Sequence, residues 1–342
     1  MRLIKDLSLY LFGISLANAI LTGCAGGSSQ TSLVPAAPAE NAGPGHKQGY
    51  AAKYVYVSNR SRDDTSQLLV YRAGVANPSL IRTITQGLID IAGIAVDPAG
   101  NVYVANGRAH NVVEFAPGGA AVVQTYSVGL YHPIDVTIAN GTLYVSDQGD
   151  ASNGYSQQII EYGTTASPGT PTPLLGVLGF GGPSQPDQGI AVDPVIPEGS
   201  FFLSSSSLTA IPPTGGCSKG SYAVGESLSP TLWRGIPLSN NQQAWGLAFD
   251  GSGNMYASDF CNDDIVIYND ATLNWLYSGK VPGDFKAPLF LTVDDRFLAV
   301  PSFGTVKPRA VGHVTVIDLT GHAATVTITS ALTHPIGAAI GP

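Results

Sequence analysis

Four side chains with oxygen donors recur at one kind of place in this 342-residue sequence. Asn59, Asn106, Asp147 and Asp259 each close a short alternating run, as do Ser204 and Ser302. Amide and carboxylate oxygens in such a set are what a hard divalent cation, calcium above all, requires, and with imidazole added they could hold zinc. A second series stands at the start of apolar runs: His132, Asp135, Asp187, Gln188, Trp245 and His334. It offers His132 as a general base, carboxylates, and an indole for ligand contact. Both series also have a structural reading. Asp and Asn at a strand end bond nearby backbone amides, and the His-Pro pairs at 132–133 and 334–335 set a rigid turn before a strand.

The runs that carry these residues repeat. "GIAVD" at 93–97 is followed by "DVTIA" at 135–139, "GIAVD" at 189–193, "GLAFD" at 246–250, "FLTVD" at 290–294 and "GAAIG" at 337–341, with starts 42, 54, 57, 44 and 47 residues apart. Behind most copies comes a turn and a second alternating run, such as "NVYVAN" at 101–106 or "NMYASD" at 254–259, and then a third, such as "NVVEF" or "DIVIY". Four short strands per unit of about 40–50 residues predict an all-β fold, a six-bladed β-propeller over residues 54–342 with four antiparallel strands per blade. The chain ends fit that count. "YVYVSN" at 54–59 is a second-strand sequence with no first strand before it, and "HPIGAAIGP" at 334–342 is a first strand with nothing after it. The C-terminal strand is therefore expected to join the N-terminal blade and close the ring. In that geometry the starts of the innermost strands and the ends of the second strands share one face, the channel mouth. The expected ligand-binding set is Asn59, Asn106, His132, Asp135, Asp147, Asp187, Trp245, Asp259 and His334.

"GIAVDPAGNVYVAN…NVVEF" resembles the NHL repeat, and the count of six is similar to NHL-type and SMP-30-like, gluconolactonase-type propellers. Resemblance to the gluconolactonase type implies one divalent metal held by a Glu, two Asn and an Asp. Asn59, Asn106, Asp147 and Asp259 match in part, and no Glu lies on an inner strand. Resemblance to the NHL-type amidating lyase implies several histidines around zinc, and only His132 and His334 are in register. The enzymatic ligand sets are thus incomplete. The expected function is a binding or scaffolding module for a protein, peptide or glycan at the channel mouth, with no firm cofactor. The alternative is a metal-dependent lactonase-type hydrolase or lyase holding one calcium or zinc ion.

Composition and the N-terminus set the location. Only 12% of residues are charged, against 41 Gly and 24 Pro, a balance that favours turn-rich β structure. A net charge of −8 excludes the basic stripe that nucleic acid requires. Arg2 and Lys5 precede the apolar stretch "LSLYLFGISLANAIL", which reads as a signal peptide over residues 1–23. Its end, Leu21-Thr22-Gly23-Cys24, resembles a bacterial lipobox and implies lipidation at Cys24; Ala25 after it implies delivery to the outer membrane. Residues 24–53, rich in Gly, Ser, Pro and Ala, read as a disordered tether for a monomeric domain. Cys217 and Cys261, both in expected loops of an exported protein, are the candidate disulfide. It would pin a Ser/Pro/Gly-rich insertion beside the mouth. The "GCSKG" at 216–220 matches a nucleophile elbow formally, without the strand-to-helix context that such a serine needs.

Overall fold

In the computed structural model of the chain, the residues described are 54–60, 65–75, 78–150, 154, 157–164, 172–176, 187–194, 201–205, 223–229, 232–237, 244–269, 276–294, 296–304, 311–321 and 323–342. For 172–176, 187–188, 201–205, 223–229, 232–237 and 323–325 the description covers the backbone alone. The expected signal segment, Cys24, the tether, the 216–220 motif and Cys217 lie outside these residues.

The described strands form six four-stranded antiparallel sheets in a propeller arrangement. The N-terminal sheet contains β1 (Tyr54–Arg60), β2 (Ser66–Arg72) and β3 (Leu80–Ile84). The next contains β4 (Ile91–Val96), β5 (Val102–Asn106), β6 (Asn111–Phe115) and β7 (Val122–Tyr126). A third runs through β8 (Pro133–Ala139), β9 (Thr142–Asp147), β10 (Gln158–Gly163) and β11 (Thr172–Gly176), and a fourth through β12 (Asp187–Val192), β13 (Phe201–Ser205), β14 (Ala223–Ser229) and β15 (Leu232–Pro237). The fifth holds β16 (Ala244–Phe249), β17 (Asn254–Asp259), β18 (Asp264–Asn269) and β19 (Leu276–Lys280); the sixth holds β20 (Thr292–Val293), β21 (Phe297–Ser302), β22 (His313–Asp318) and β23 (Ala323–Ile328). The last strand, β24 (His334–Gly341), leaves this sheet and pairs with β1 from Tyr54↔Gly341 to Arg60↔His334. The joining of the two chain ends expected from the sequence is therefore present.

The inner strands β4, β8, β12, β16, β20 and β24 contact one another in cyclic order. Packed on both sides, they read as nearly unbroken apolar runs, whereas the outermost β3, β7 and β19 are mostly exposed. Between successive sheets the strands bury mixed clusters. One joins Tyr103, Ala105 and Val112 to Val136, Val145 and Ile160; another joins Tyr256 and Ile265 to Leu298, Val300 and Ile317.

The turn that ends "GIAVD" has its own chemistry. Asp97 Oδ1 accepts the Asn101 N–H at 2.8 Å, while Oδ2 accepts from Asn101 Nδ2 at 2.8 Å and Tyr103 OH at 3.3 Å. Asp250 does the same with the Asn254 N–H at 2.9 Å, Asn254 Nδ2 at 2.7 Å and Tyr256 OH at 3.1 Å. One carboxylate thus closes the turn between first and second strands and fixes a buried tyrosine of the second.

Five inner strands carry a register shift against their second strands near their starts. The bulge brings neighbouring inner strands so close that Gly337 admits no side chain: a Cβ there would lie 2.4 Å from the Ala92 carbonyl oxygen. Gly337→Ala should therefore cost about 3 kcal/mol in urea-denaturation stability. Gly163→Ala, where a Cβ would meet nothing within 4 Å, should stay within about 0.5 kcal/mol of the parent.

Candidate functional site

The strand ends place three of the four expected oxygen donors against the segments that lead into the inner strands. Asn59, fully buried, accepts the Thr333 and His334 N–H groups on Oδ1 at 2.9 and 3.1 Å, and its Nδ2 donates to Gln67 Oε1 at 3.2 Å. Asn106 Oδ1 accepts the Ile89 N–H at 2.6 Å, and its Nδ2 donates to the Gly87 carbonyl and to Asn111 Oδ1, both at 2.9 Å. Asp147 takes four donors: the His132 and Gly149 N–H groups on Oδ1, and the Tyr131 N–H and Gln158 Nε2 on Oδ2. Asp259 instead holds its own turn through Asn262, whose Nδ2 donates at 2.7 Å.

These residues fasten the second strand of a sheet to the loop feeding its first strand. The fit to a divalent cation is correspondingly poor, because the Asn59 oxygen already accepts two hydrogen bonds and the Asp147 carboxylate four, which exhausts their lone pairs. Among the described residues no group of three or more His, Cys, Asp or Glu could hold a metal ion.

The axis beneath the mouth is apolar. Ala92, Ile134, Trp245, Leu289 and Ile336, from five inner strands or the runs leading into them, cluster with Phe290 and Phe303. Trp245, expected to face a ligand, is fully buried here, with Phe260 and Phe290 at ring-centroid distances of 5.7 and 6.3 Å. A bulky apolar ring at that position is drawn into the plug by burial rather than left at the mouth. His334 leans on the same plug, its ring stacked on Phe303 at 4.7 Å. Cys261, next to Phe260, is disulfide-bonded, and Cys217, its expected partner, lies outside the described residues. The backbone of Asp187 opens β12, and its side chain is not among those described.

Asp135 stands where most other copies of the repeat have glycine. Its carboxyl fills the space beside Gly93, whose Cβ would lie 1.8 Å from Asp135 Oδ1, and reaches the next inner strand, where Oδ2 accepts the Ile190 N–H at 3.0 Å. The Val136 N–H donates to Oδ1 at 2.9 Å. Burial outweighs these two hydrogen bonds and pushes the carboxyl up from 3.8 to about 8. The carboxyl, pushed toward its neutral form, thus bonds β8 to β12 and packs against β4.

A charged group outside the repeated motifs lies beside His132. Asp90, at a left-handed φ of 61° just before β4, ion-pairs through Oδ1 with Arg60, which ends β1. Its Oδ2 is 3.6 Å from Arg108 Nε and 3.7 Å from His132 Nε2. His132 packs over Gly107, where a Cβ would sit 2.9 Å from the ring. Burial lowers the imidazole pKa below its ordinary value, against the opposing pull of Asp90 and Asp147. The signal for this group was available: Arg60 ends a second strand, Arg108 follows one, and Asp90 precedes an inner strand.

No protein-family model matches the chain, and no curated protein sequence matches it. Solved structures do resemble it in fold. A chain of a nidogen/laminin complex superposes with a TM-score of 0.61 at 15% identity, covering 84% of this chain and 98% of that one. A protein of unknown function from Bacteroides caccae gives 0.59 at 10% identity, covering 85% and 99%. A calcium-binding regucalcin from Agrobacterium tumefaciens gives 0.51 at 11% identity, covering 73% and 77%. At these identities the likeness concerns the propeller fold.

Two outcomes are expected. Between pH 4 and 8 folded Asp135 keeps a proton that the unfolded chain has released, so it makes stability fall as pH rises across that window. Asp135→Asn should flatten that slope in denaturation curves taken at several pH values. Asn59→Ala leaves two part-buried N–H groups unpaired and should cost about 1–3 kcal/mol, measured by thermal unfolding.

Proposed function

We propose that this protein is a lipid-anchored, six-bladed propeller of the bacterial cell envelope that binds a partner protein or peptide through its channel-mouth face. Six sheets whose inner strands touch in cyclic order, with β24 completing the first, support the blade count. The signal-like segment ending at Cys24 supports the anchor, and its sequence supports the outer membrane.

The observation that carries the binding reading is the contrast between axis and rim. The axis is filled by Trp245, Leu289 and other apolar side chains, and the buried Asn and Asp oxygens are spent on loop amides. The rim around Asp90 leaves Arg108 73% exposed and His132 35% exposed. Charged groups presented on a rigid ring suit recognition better than turnover. A lactonase-type hydrolase is the second reading, favoured by the likeness to a calcium-binding regucalcin.

Elemental analysis of the full chain, purified without chelator, separates the two. The binding reading expects no stoichiometric metal, even after soaking in calcium or zinc. About one equivalent, lost on Asp147→Ala with Asp259→Ala, would establish the enzyme reading instead. The anchor has its own check: Cys24→Ala should move the protein from the membrane to the soluble fraction on cell fractionation.

A further inference from the structure

Arg108 Nε and His132 Nε2 converge on one point, Asp90 Oδ2, yet at 3.6 and 3.7 Å neither is within hydrogen-bond reach of it. Both nitrogens can therefore serve an incoming oxygen. Asp90 is held from below by the Arg60 ion pair and by Ser66 Oγ, which accepts the Asp90 N–H at 2.6 Å. The imidazole packs closely over Gly107, and the His132 backbone is held by Asp147 Oδ1, which accepts its main-chain N–H at 2.6 Å.

We propose that Arg108 and His132 form the seat for a carboxylate of an acidic peptide segment on a partner protein. This rests on the mouth-face binding reading above and specifies the chemistry of its ligand. Arg108 is 73% exposed and Asp90 only 17%, so the charge this corner turns to solvent is the guanidinium, on a chain whose net charge is −8, and an anion is drawn to it. A guanidinium beside an imidazole matches a carboxylate by charge-assisted hydrogen bonds. A glycan is disfavoured because, among the described residues, the only aromatic with a large exposed surface is Tyr277, on the outer strand β19.

The charged groups around His132 are Asp90 before β4, Arg108 and His110 between β5 and β6, and Asp147 at the end of β9. A bound carboxylate adds a negative charge to that set and favours the imidazolium. Binding should therefore tighten as pH falls from 8 to 6, a range in which glutamate stays ionised.

The test is fluorescence anisotropy of the full chain in detergent with a labelled glutamate-rich decapeptide. The parent should bind saturably and weaken with salt, Arg108→Gln should weaken binding at least tenfold, and His132→Gln should remove the pH dependence. Arg72→Gln, the same charge change at the opposite end of the sheet, should leave binding unchanged. The proposal is overturned by equal losses in the two arginine variants, by no binding, or by binding of polygalacturonate without the peptide. Unfolding midpoints of the variants equal to the parent's confirm that a loss is not misfolding. Attaching a bulky maleimide at Arg108→Cys, against Leu276→Cys on an outer strand, tests the mouth-face reading by itself in cross-linking to envelope proteins. If that block is specific to the mouth while the peptide does not bind, only the carboxylate seat falls.

Discussion

The inner strands approach one another at the axis more closely than side chains allow, and much of the structure follows from how that crowding is relieved. The bulge at the start of five of these strands frees a backbone N–H while pressing the chain against its neighbour. Glycine answers the second problem and a serine on the second strand answers the first: Ser58 Oγ accepts the Gly337 N–H and Ser258 Oγ the Gly246 N–H, each at 2.7 Å. Ser58 also donates to the Ala92 carbonyl, so one hydroxyl ties two inner strands. Where Asp135 replaces the glycine, the corresponding Ser146 hydroxyl is buried with no partner among the described residues, and where Phe290 replaces it the second strand has Pro301 in place of the serine. At Asp135 the carboxyl itself takes over, bonding the Ile190 N–H across the junction.

This economy divides the polar residues into those that build the ring and those that remain for other work. Asp97 and Asp250 close turns at one end, and Asn59, Asn106 and Asp147 clasp loops at the other. All are buried or nearly so and hydrogen-bonded, as polar groups in a core must be. The apolar layer around Trp245 packs five of the inner-strand segments together between them. Among the described residues, the group centred on Asp90 joins residues of three successive sheets through Arg60, Arg108 and His132. A ring so thoroughly pinned is suited to hold such a group still.

Much of the architecture was legible along the chain because a propeller is built from local units. "GIAVDPAGNVYVAN" contains its own first strand, turn and second strand, and a spacing near 45 residues leaves room for four strands and no more. The structural reading of the strand-end residues was legible for the same reason, since Asp147 or Asn106 meets its partners within about 20 residues. Some local chemistry was readable and overlooked: Asp-x-x-x-Asn-x-Tyr stands at both 97–103 and 250–256, and its side chains meet within one turn.

The sequence by itself determined the strands, their order, the pairing of the chain ends and the turn chemistry, because period-two patterning and short-range hydrogen bonds act between residues close in the chain. Only the tertiary structure decided which side of the ring each polar or aromatic group serves. Trp245 belongs to the plug because four other inner-strand segments place apolar side chains around it, from Ala92 to Ile336. The Asp135 carboxyl is pushed toward its neutral form by burial beside Gly93 and Ile190, 42 and 55 residues away. Arg60, Asp90 and His132 become one site because consecutive sheets turn the same corner toward the axis. Desolvation and charge pairing depend on what is near in space, and in a ring those neighbours lie a whole repeat away.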